Sequence, residues 1–202
     1  MMKPRIITLN IMATRSLRSS TIENGKKIVE PKKKIPKATP TKKMTTSTKQ
    51  LSDITLKDDS GKSYNIKKDI IDAGKPTLIF AYPKASTPGC TKQAQGFRDF
   101  YKKLIDEEGI SSEKFQIFGL SNDTVNAQLK FKEKHGFQFP LLSDPERELI
   151  SFLKADKNKK TGTIRSHWVW DKSGELVYSH VEVSPTVSLE KGQEELLELI
   201  KK

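Results

Sequence analysis

Two runs of mostly apolar residues predict strands that are buried on both faces. Residues 77–82 form the first run, which Pro76 and Pro83 bound, and residues 115–120 form the second. Short apolar runs between turn-forming residues are typical of strands that other elements cover on both sides. These two runs therefore predict the centre of a sheet.

Apolar residues at helical spacing predict the elements that pack against this sheet. Residues 91–107 carry apolar side chains three or four positions apart, which predicts an amphipathic helix. Capping residues at 121–123 predict a helix that runs to about His135, where Gly136 closes it. Three further helices are predicted at residues 67–73, 147–153 and 189–200.

Two pairs of alternating segments predict hairpins. Residues 53–56 and 62–66 flank a turn that contains Gly61. Residues 164–170 and 175–181 flank the turn-forming sequence Asp-Lys-Ser-Gly. Strands and helices in this order predict an α/β fold with a mixed central sheet and helices on both faces. A thioredoxin-like fold fits this order.

Charge and aromatic content divide the chain at about residue 50. Residues 1–50 hold 13 Lys and Arg, 2 Asp and Glu, and no Phe, Trp or Tyr. Residues 51–202 hold the other 24 basic and 23 acidic residues and all 15 aromatic ones, so the net charge of +12 belongs mainly to the first segment. Such a segment cannot bury enough apolar surface to offset the entropy of ordering. We predict a disordered basic tail at 1–50 and one globular domain at 51–202.

The basic tail carries two candidate targeting signals. Lysine clusters and three prolines between residues 26 and 43 are typical of extended segments that bind nuclear import receptors or nucleic-acid phosphates, with a solvated linker as the alternative. Residues 1–22 contain no acid, and arginines among Ser and Thr are typical of a mitochondrial transit peptide. The nucleus is our first prediction, with a weak nucleic-acid contact through the tail. The mitochondrion and the cytoplasm are the alternatives.

The sequence disfavours several classes of protein. No stretch approaches the roughly 20 apolar residues of a membrane span, which predicts a soluble protein with no membrane partner. No long apolar segment precedes a small-residue cleavage site, so secretion is not expected. The single cysteine excludes an intrachain disulfide and is typical of a reducing compartment. His135, His167 and His180 lack the spacing of a metal site and are predicted to be structural.

Cys90 occupies an unusual place for a lone cysteine. It follows a buried strand and a loop with two prolines and a glycine, and it lies in the first turn of the amphipathic helix. The unpaired amides of a helix N-terminus favour an anion, and the thiolate is the nucleophilic form of cysteine. A lone cysteine is often only a small buried apolar side chain, but the flanking loop favours the reactive alternative here.

The spacing Pro83-x-x-x-Thr87-x-x-Cys90 resembles the signature of the peroxiredoxins. This spacing lies within the string Tyr-Pro-Lys-Ala-Ser-Thr-Pro-Gly-Cys-Thr. The string is similar to the peroxiredoxin Q, or bacterioferritin-comigratory, branch, and within that branch to the nuclear thiol peroxidases of budding yeasts. Four further stretches agree with this branch: Phe-Gly-Leu-Ser at 118–121, Leu-Leu-Ser-Asp-Pro at 141–145, Ile-Arg-Ser-His at 164–167 and Ser-Pro at 184–185. The resemblance covers about residues 51–200 and implies a thioredoxin-like fold.

The resemblance implies a role for each matching residue. Cys90 corresponds to the cysteine that attacks the peroxide, and Thr87 to the threonine whose hydroxyl holds the thiolate and the peroxide oxygen. Pro83 corresponds to the proline that shields the sulfur. Arg165 corresponds to the arginine that steadies the thiolate and orients the peroxide, with an ordinary exposed charge as the alternative. Displacement on a peroxide oxygen needs an anion, a donor for the leaving oxygen and an in-line approach, which these residue types supply.

The resemblance therefore implies an antioxidant thiol peroxidase that reduces hydrogen peroxide and organic hydroperoxides, without a metal or organic cofactor, as a monomer or weak dimer. A redox sensor that the tail docks on chromatin, with little peroxidase activity, is the alternative. The sequence departs from the branch at Gln95, which stands five residues after Cys90, where a resolving cysteine often lies. The sulfenic acid formed at Cys90 must then be resolved by thioredoxin or another external thiol.

Overall fold

The computed structural model of the protein describes residues 50–158 and 161–202. The targeting signals predicted in the tail, and all of the tail except Gln50, lie outside the described residues. The domain predicted from residue 51 onward is described except at residues 159 and 160.

Seven strands of the described residues form one mixed sheet. The strands are β1 (Thr55–Asp58), β2 (Ser63–Asn65), β3 (Thr77–Ala81), β4 (Gln116–Ser121), β5 (Leu141–Ser143), β6 (Ser166–Trp170) and β7 (Leu176–Val181). Their order across the sheet is β2-β1-β5-β4-β3-β6-β7, so that β4 is the middle strand, β3 lies next to it and β7 forms one edge. β4 pairs in parallel with β3 and β5, whereas the other pairs are antiparallel. The predicted mixed sheet is confirmed.

The sequence pattern predicts every described strand except β5. Both predicted central strands are present, as β3 and β4, and both predicted hairpins form, as β1–β2 and β6–β7. The pattern predicts no strand at β5, because three residues are too few to show an alternation. β5 is a strand because β1 and β4 pair with it on both sides.

Four α-helices accompany the sheet. They are α1 (Pro88–Asp106), α2 (Val125–His135), α3 (Glu148–Phe152) and α4 (Pro185–Lys201). Short 3-10 turns lie at Leu51–Asp53 and Ser112–Lys114, and the helix predicted at residues 67–73 is a π-helical turn at Ile66–Ile71. None of the helices in the described part of the chain combines the length and the hydropathy that a membrane crossing requires.

Two helices begin at positions that differ from the prediction. α4 begins at Pro185 rather than at residue 189, because the Ser184 side chain caps it by accepting a hydrogen bond from the Val187 amide at 3.1 Å. The caps predicted at 121–123 for α2 are wrong, since Thr124 is the N-cap residue. The carboxylate of Asp123 instead accepts a hydrogen bond from the amide of Ala85, in the loop that precedes α1.

The core consists of one apolar cluster on each face of the sheet. Alternate residues of β3 supply the two clusters, because successive side chains of a strand point to opposite faces. Leu78 and Phe80 pack with α1, α2 and α4, whereas Ile79 and Ala81 pack with the π-helical turn and α3. Helices therefore cover both faces, as predicted, and Cys90 lies in the cluster beneath α1 and α4.

The helices α1 and α4 approach each other closely at Gly96. A β-carbon at this position would lie 2.2 Å from Cδ2 of Leu189, which is far inside van der Waals contact. Gln193 of α4 also donates a hydrogen bond to the carbonyl of Gly96 at 3.4 Å. The absence of a side chain at Gly96 is therefore what permits this helix contact.

Candidate active site

Cys90 lies where the sequence predicts it, at a junction of strand, loop and helix. β3 ends at Ala81, and α1 begins at Pro88 after the N-cap residue Thr87. Cys90 is the third residue of α1, so its amide is one of the helix N-terminal donors that have no partner in the preceding turn. The side chain is only 1% exposed, which leaves the sulfur inside the protein in this conformation.

Arg165 brings a permanent positive charge to the sulfur. Its Nη2 atom lies 3.4 Å from Sγ of Cys90 although the two residues are 75 positions apart in the chain. The residue directly precedes β6, which is the neighbour of β3, and its carbonyl accepts a hydrogen bond from Val183 at 3.0 Å. A guanidinium group stays charged at all physiological pH values and is a strong donor to an anion, so this contact favours the thiolate.

Two buried side chains that the sequence analysis does not single out hold Arg165 in place. Gln93 lies one helical turn after Cys90, and its Oε1 accepts a hydrogen bond from Nη1 of Arg165. Its Nε2 donates to Oγ of Ser188 in α4 at 2.8 Å. Gln93 and Ser188 are both fully buried. A polar residue on the apolar face of α1 is the signal that could have found Gln93, whereas Ser188 carries no comparable signal.

Thr87 and Pro83 lie in the loop in front of the sulfur. The hydroxyl of Thr87 donates to the carbonyl of Lys84 at 2.9 Å, and the described residues record no hydrogen bond from it to Cys90. Pro83 follows Tyr82 at the end of the buried run and is exposed. Between them, Ser86 adopts a left-handed conformation with φ of 62°. The structure thus places both residues in the loop, while their predicted contacts with sulfur or peroxide stay a prediction.

A buried polar network supports this loop from behind. Asp123 accepts hydrogen bonds from the Ala85 amide at 2.7 Å and from the Ser121 hydroxyl at 2.8 Å. Gln128 donates to the Ser121 hydroxyl at 2.9 Å and accepts from the Tyr82 hydroxyl at 2.5 Å. Burial raises the pKa of Tyr82 far above its ordinary value, so the phenol stays a neutral donor. The network fixes the loop to β4 and α2.

Gln95 occupies the position at which the sequence departs from the peroxiredoxin Q branch. Its Nε2 atom lies 3.3 Å from Nδ1 of His135 at the end of α2. Cys90 is the only cysteine of the chain and is a free thiol. The chain therefore provides no second thiol for Cys90, whatever the conformation of α1.

Comparisons with known proteins agree with this geometry. Residues 48–179 match the AhpC/TSA family. Peroxiredoxin bcp1 of Schizosaccharomyces pombe is 46% identical over 142 residues, which are 70% of this chain and 69% of that protein. Peroxiredoxin Bcp of Bacillus subtilis is 34% identical over 131 residues, which are 62% of this chain and 78% of that one.

A solved structure extends the likeness to three dimensions. The bacterioferritin comigratory protein of Xanthomonas campestris, solved in a study of its alkyl peroxide reduction activity, aligns with a TM-score of 0.64 and 26% identity. The alignment covers 74% of this chain and 94% of that one. These likenesses support the enzyme rather than the alternative of a chromatin-bound sensor with little activity. The chain therefore belongs to the AhpC/TSA family, in its peroxiredoxin Q or bacterioferritin-comigratory branch, and is a thiol-dependent peroxidase with a thioredoxin-like fold.

Proposed function

We propose that Cys90 is the peroxidatic residue and that it reduces hydrogen peroxide and organic hydroperoxides. The contact of Arg165 Nη2 with Cys90 Sγ, at 3.4 Å and at the N-terminus of α1, carries this proposal. The thiolate attacks one peroxide oxygen, the O–O bond breaks, and the leaving oxygen takes a proton and departs as water or an alcohol. Cys90 is oxidised to a sulfenic acid, and antioxidant defence is the outcome.

Each of the residues around Cys90 has a separate role in the attack on the peroxide. Arg165 stabilises the thiolate and the charge that develops on the leaving oxygen, as preorganised donors do in other enzymes. Gln93 positions Arg165 through its Oε1 atom. Thr87 turns its hydroxyl from the Lys84 carbonyl to the bound peroxide, and Pro83 limits the access of water to the sulfur. The X. campestris neighbour, which was studied for alkyl peroxide reduction, supports organic hydroperoxides as one substrate class.

Reduction of the sulfenic acid then depends on an external thiol. The attacking thiol forms a mixed disulfide with Cys90 and releases water, and a second thiol reduces this disulfide and restores the Cys90 thiol. Thioredoxin is the reductant that we favour, with glutathione or a second copy of the chain as alternatives. Gln95 supports this one-cysteine cycle, since no second cysteine is present in the chain.

Stopped-flow kinetics test the peroxidase step. The reduced protein is mixed with hydrogen peroxide or cumene hydroperoxide beside a Cys90→Ser variant, and the sulfenic acid is trapped with dimedone. We expect the protein to react orders of magnitude faster than free cysteine, the variant to be inert, and one dimedone adduct to form at Cys90. Equal, slow rates for both proteins would overturn the assignment of Cys90.

We further propose that the protein acts in the nucleus, as a monomer or weak dimer, with the tail as the import signal. The lysine clusters between residues 26 and 43 support this proposal. In cells, a fluorescent fusion of the full chain is expected in the nucleus, and replacement of these lysines by glutamine is expected to disperse it. A mitochondrial signal that arginine substitutions within residues 1–22 abolish would favour the transit-peptide alternative instead.

A further inference from the structure

A cluster of three side chains at the sheet edge joins two strands and a helix. His167 of β6 and His180 of β7 are paired residues of the two antiparallel strands, and their rings stack with centroids 4.6 Å apart. Glu195 of α4 lies against both rings. Its Oε1 atom is 2.6 Å from Nε2 of His180, and its Oε2 atom is 3.2 Å from Nε2 of His167. Three potential metal ligands from three elements therefore converge.

We propose that His167, His180 and Glu195 form a binding site for a divalent transition-metal ion such as Zn²⁺. One ligand atom from each residue lies within 4.8 Å of the other two. Two imidazole nitrogens and one carboxylate are a donor set that proteins use for zinc, with water in the remaining position. Tetrahedral zinc with bonds of about 2.0–2.1 Å needs its ligand atoms somewhat closer together, so the three groups must draw inward around the ion.

The burial of the three groups suits an ion that enters from the edge of the sheet. The His167 side chain is fully buried, that of Glu195 is 10% exposed and that of His180 is 26% exposed. β7 is the edge strand of the sheet, so no strand of the described residues lies beyond His180. His180 is the most exposed of the three groups and has the most room to move towards an incoming ion, while the more deeply buried His167 and Glu195 need smaller shifts.

Without an ion, the ligand nitrogens of both histidines contact Glu195. Both Nε2 atoms face the same carboxylate, which a metal ion would share with them. Nδ1 of His167 is buried and has no hydrogen-bond partner among the described residues. Without an ion, the Glu195 carboxylate favours a proton on Nε2 of His167. When Nε2 binds the ion, the proton of His167 would lie on Nδ1 instead. Lys191 is the nearby cation that opposes binding, because it acts electrostatically on both His167 and Glu195.

The bound ion would connect the final hairpin to α4. Its ligands come from β6, β7 and α4, and the first turn of the same helix carries Ser188, which reaches Arg165 through Gln93. Cys90 is not part of the cluster. The ion would therefore link the edge strand and α4 to β6.

Zinc titration of the untagged full-length chain tests the site. A Cys90→Ser background removes the one thiol that could also bind zinc. Isothermal titration is carried out on this background and on His180→Ala and Glu195→Gln variants of it, with His135→Ala as the matched control, because His135 is the one histidine outside the cluster. Circular dichroism establishes that each variant is folded.

We expect one zinc ion to bind per chain in the Cys90→Ser background and in the His135→Ala control. In the His180→Ala and Glu195→Gln variants, we expect the affinity for zinc to fall about 100-fold or more. Long-range ¹H–¹⁵N spectra are expected to show zinc shifting the Nε2 resonances of His167 and His180 and leaving those of His135 unchanged. This readout does not depend on any variant folding. Absence of binding at millimolar zinc, equal binding in the cluster variants, or unshifted Nε2 resonances would each overturn the proposal.

Discussion

Two polar clusters are buried between α4 and the sheet, and they differ in how their hydrogen bonds are satisfied. Near the start of α4, Ser188, Gln93 and Arg165 form a continuous chain of donors and acceptors that ends at the sulfur of Cys90. About two turns further along the helix, one carboxylate, that of Glu195, serves two imidazoles, and a buried nitrogen of His167 has no partner among the described residues.

The clusters also differ in charge. Arg165 is a permanent cation beside Cys90, whose thiolate is the nucleophile of the proposed reaction. Burial lowers the pKa of His167 to about 3, and the neighbouring His180 and Lys191 act in the same direction, so this ring is neutral at pH 7. Glu195, which would favour a charged ring, makes its shorter contact with His180. The same helix therefore contacts one cluster that contains a permanent cation and another that combines a neutral imidazole with a carboxylate.

Loss of Arg165 is expected to have the largest effect. In an Arg165→Ala variant the thiolate loses its charged partner and the leaving oxygen loses a donor, so the rate of peroxide reduction should fall about 10²–10³-fold. Stopped-flow measurements with hydrogen peroxide check this. Lys92→Ala removes an exposed charge two residues after Cys90 and serves as the control. A fall of similar size in that control would mean that general charge, rather than the Arg165 contact, governs the rate.

Acid should destabilise the protein through the second cluster. The folded-state pKa of His167 is below its ordinary value of 6.5, so the unfolded chain binds more protons and stability is lost as the pH falls from about 6.5 towards 3. Burial raises the pKa of Glu195, which titrates in the opposite sense and offsets part of the loss. For His167 alone the loss between pH 6.5 and pH 4 is at most about 3 kcal/mol, and Glu195 makes the net loss smaller.

Urea unfolding in EDTA, from pH 7 to pH 4, measures this loss. Other carboxylates also contribute to acid unfolding, so the chain is compared with a His167→Gln variant, which cannot gain the proton. The variant should show a shallower dependence of unfolding free energy on pH. Parallel pH profiles for the two proteins would show that His167 is not neutral in the folded state, and the contrast in charge between the clusters would disappear.

Gln93 should affect the rate less than Arg165, because it acts only through that residue. A Gln93→Met variant keeps the shape of the side chain but removes the acceptor for Nη1 of Arg165, so we expect the peroxide rate to fall about tenfold. Gln93→Glu retains an acceptor and should recover most of the rate. A purely structural role for Gln93 predicts a loss of stability in both variants without this recovery.

Ser188 should have the smallest effect, since it stands one hydrogen bond further from the sulfur. Ser188→Ala leaves Nε2 of Gln93 without its partner, and a net hydrogen bond of about 1 kcal/mol implies a fall in rate of about fivefold or less. The same stopped-flow assay measures it, with the exposed Ser179→Ala of β7 as the control. A tenfold loss of rate would instead mean that Ser188 contributes as much as Gln93 to the positioning of Arg165.

The local elements could be predicted from the sequence because their patterns repeat within a few residues. The apolar run at β3, the helical spacing in α1 and the turn between β6 and β7 each lie within one segment, and all three are present. The position of Cys90 in the first turn of α1 follows from the same local signals. Contacts between distant segments do not follow from such local patterns. The family resemblance implied the contact of Arg165 with Cys90, but nothing in the sequence indicated that Ser188 meets Gln93 from 95 residues away.

A bulge in the β6–β7 hairpin explains why the sequence does not predict that His167 and His180 are neighbours. Next to the turn, Trp170 pairs with Leu176, and a regular hairpin continued from this pair would place His167 opposite Ser179. A register shift between Val169 and Trp170 instead places His167 opposite His180. Since the spacing of the histidines along the chain is not that of a metal motif, only the bulge reveals that they are neighbours.

The close contact at Gly96 has a consequence for the timing of the catalytic cycle. With the Cys90 side chain only 1% exposed, the sulfur is closed to a reductant as large as a protein. Leu189 and Gln193 of α4 contact α1 at Gly96, and Ser188 of α4 binds Gln93 one turn before it. A protein thiol can therefore reach the sulfur of Cys90 only if the first turns of α1 move away from these contacts, and such a movement is an additional step of any cycle that uses a protein reductant.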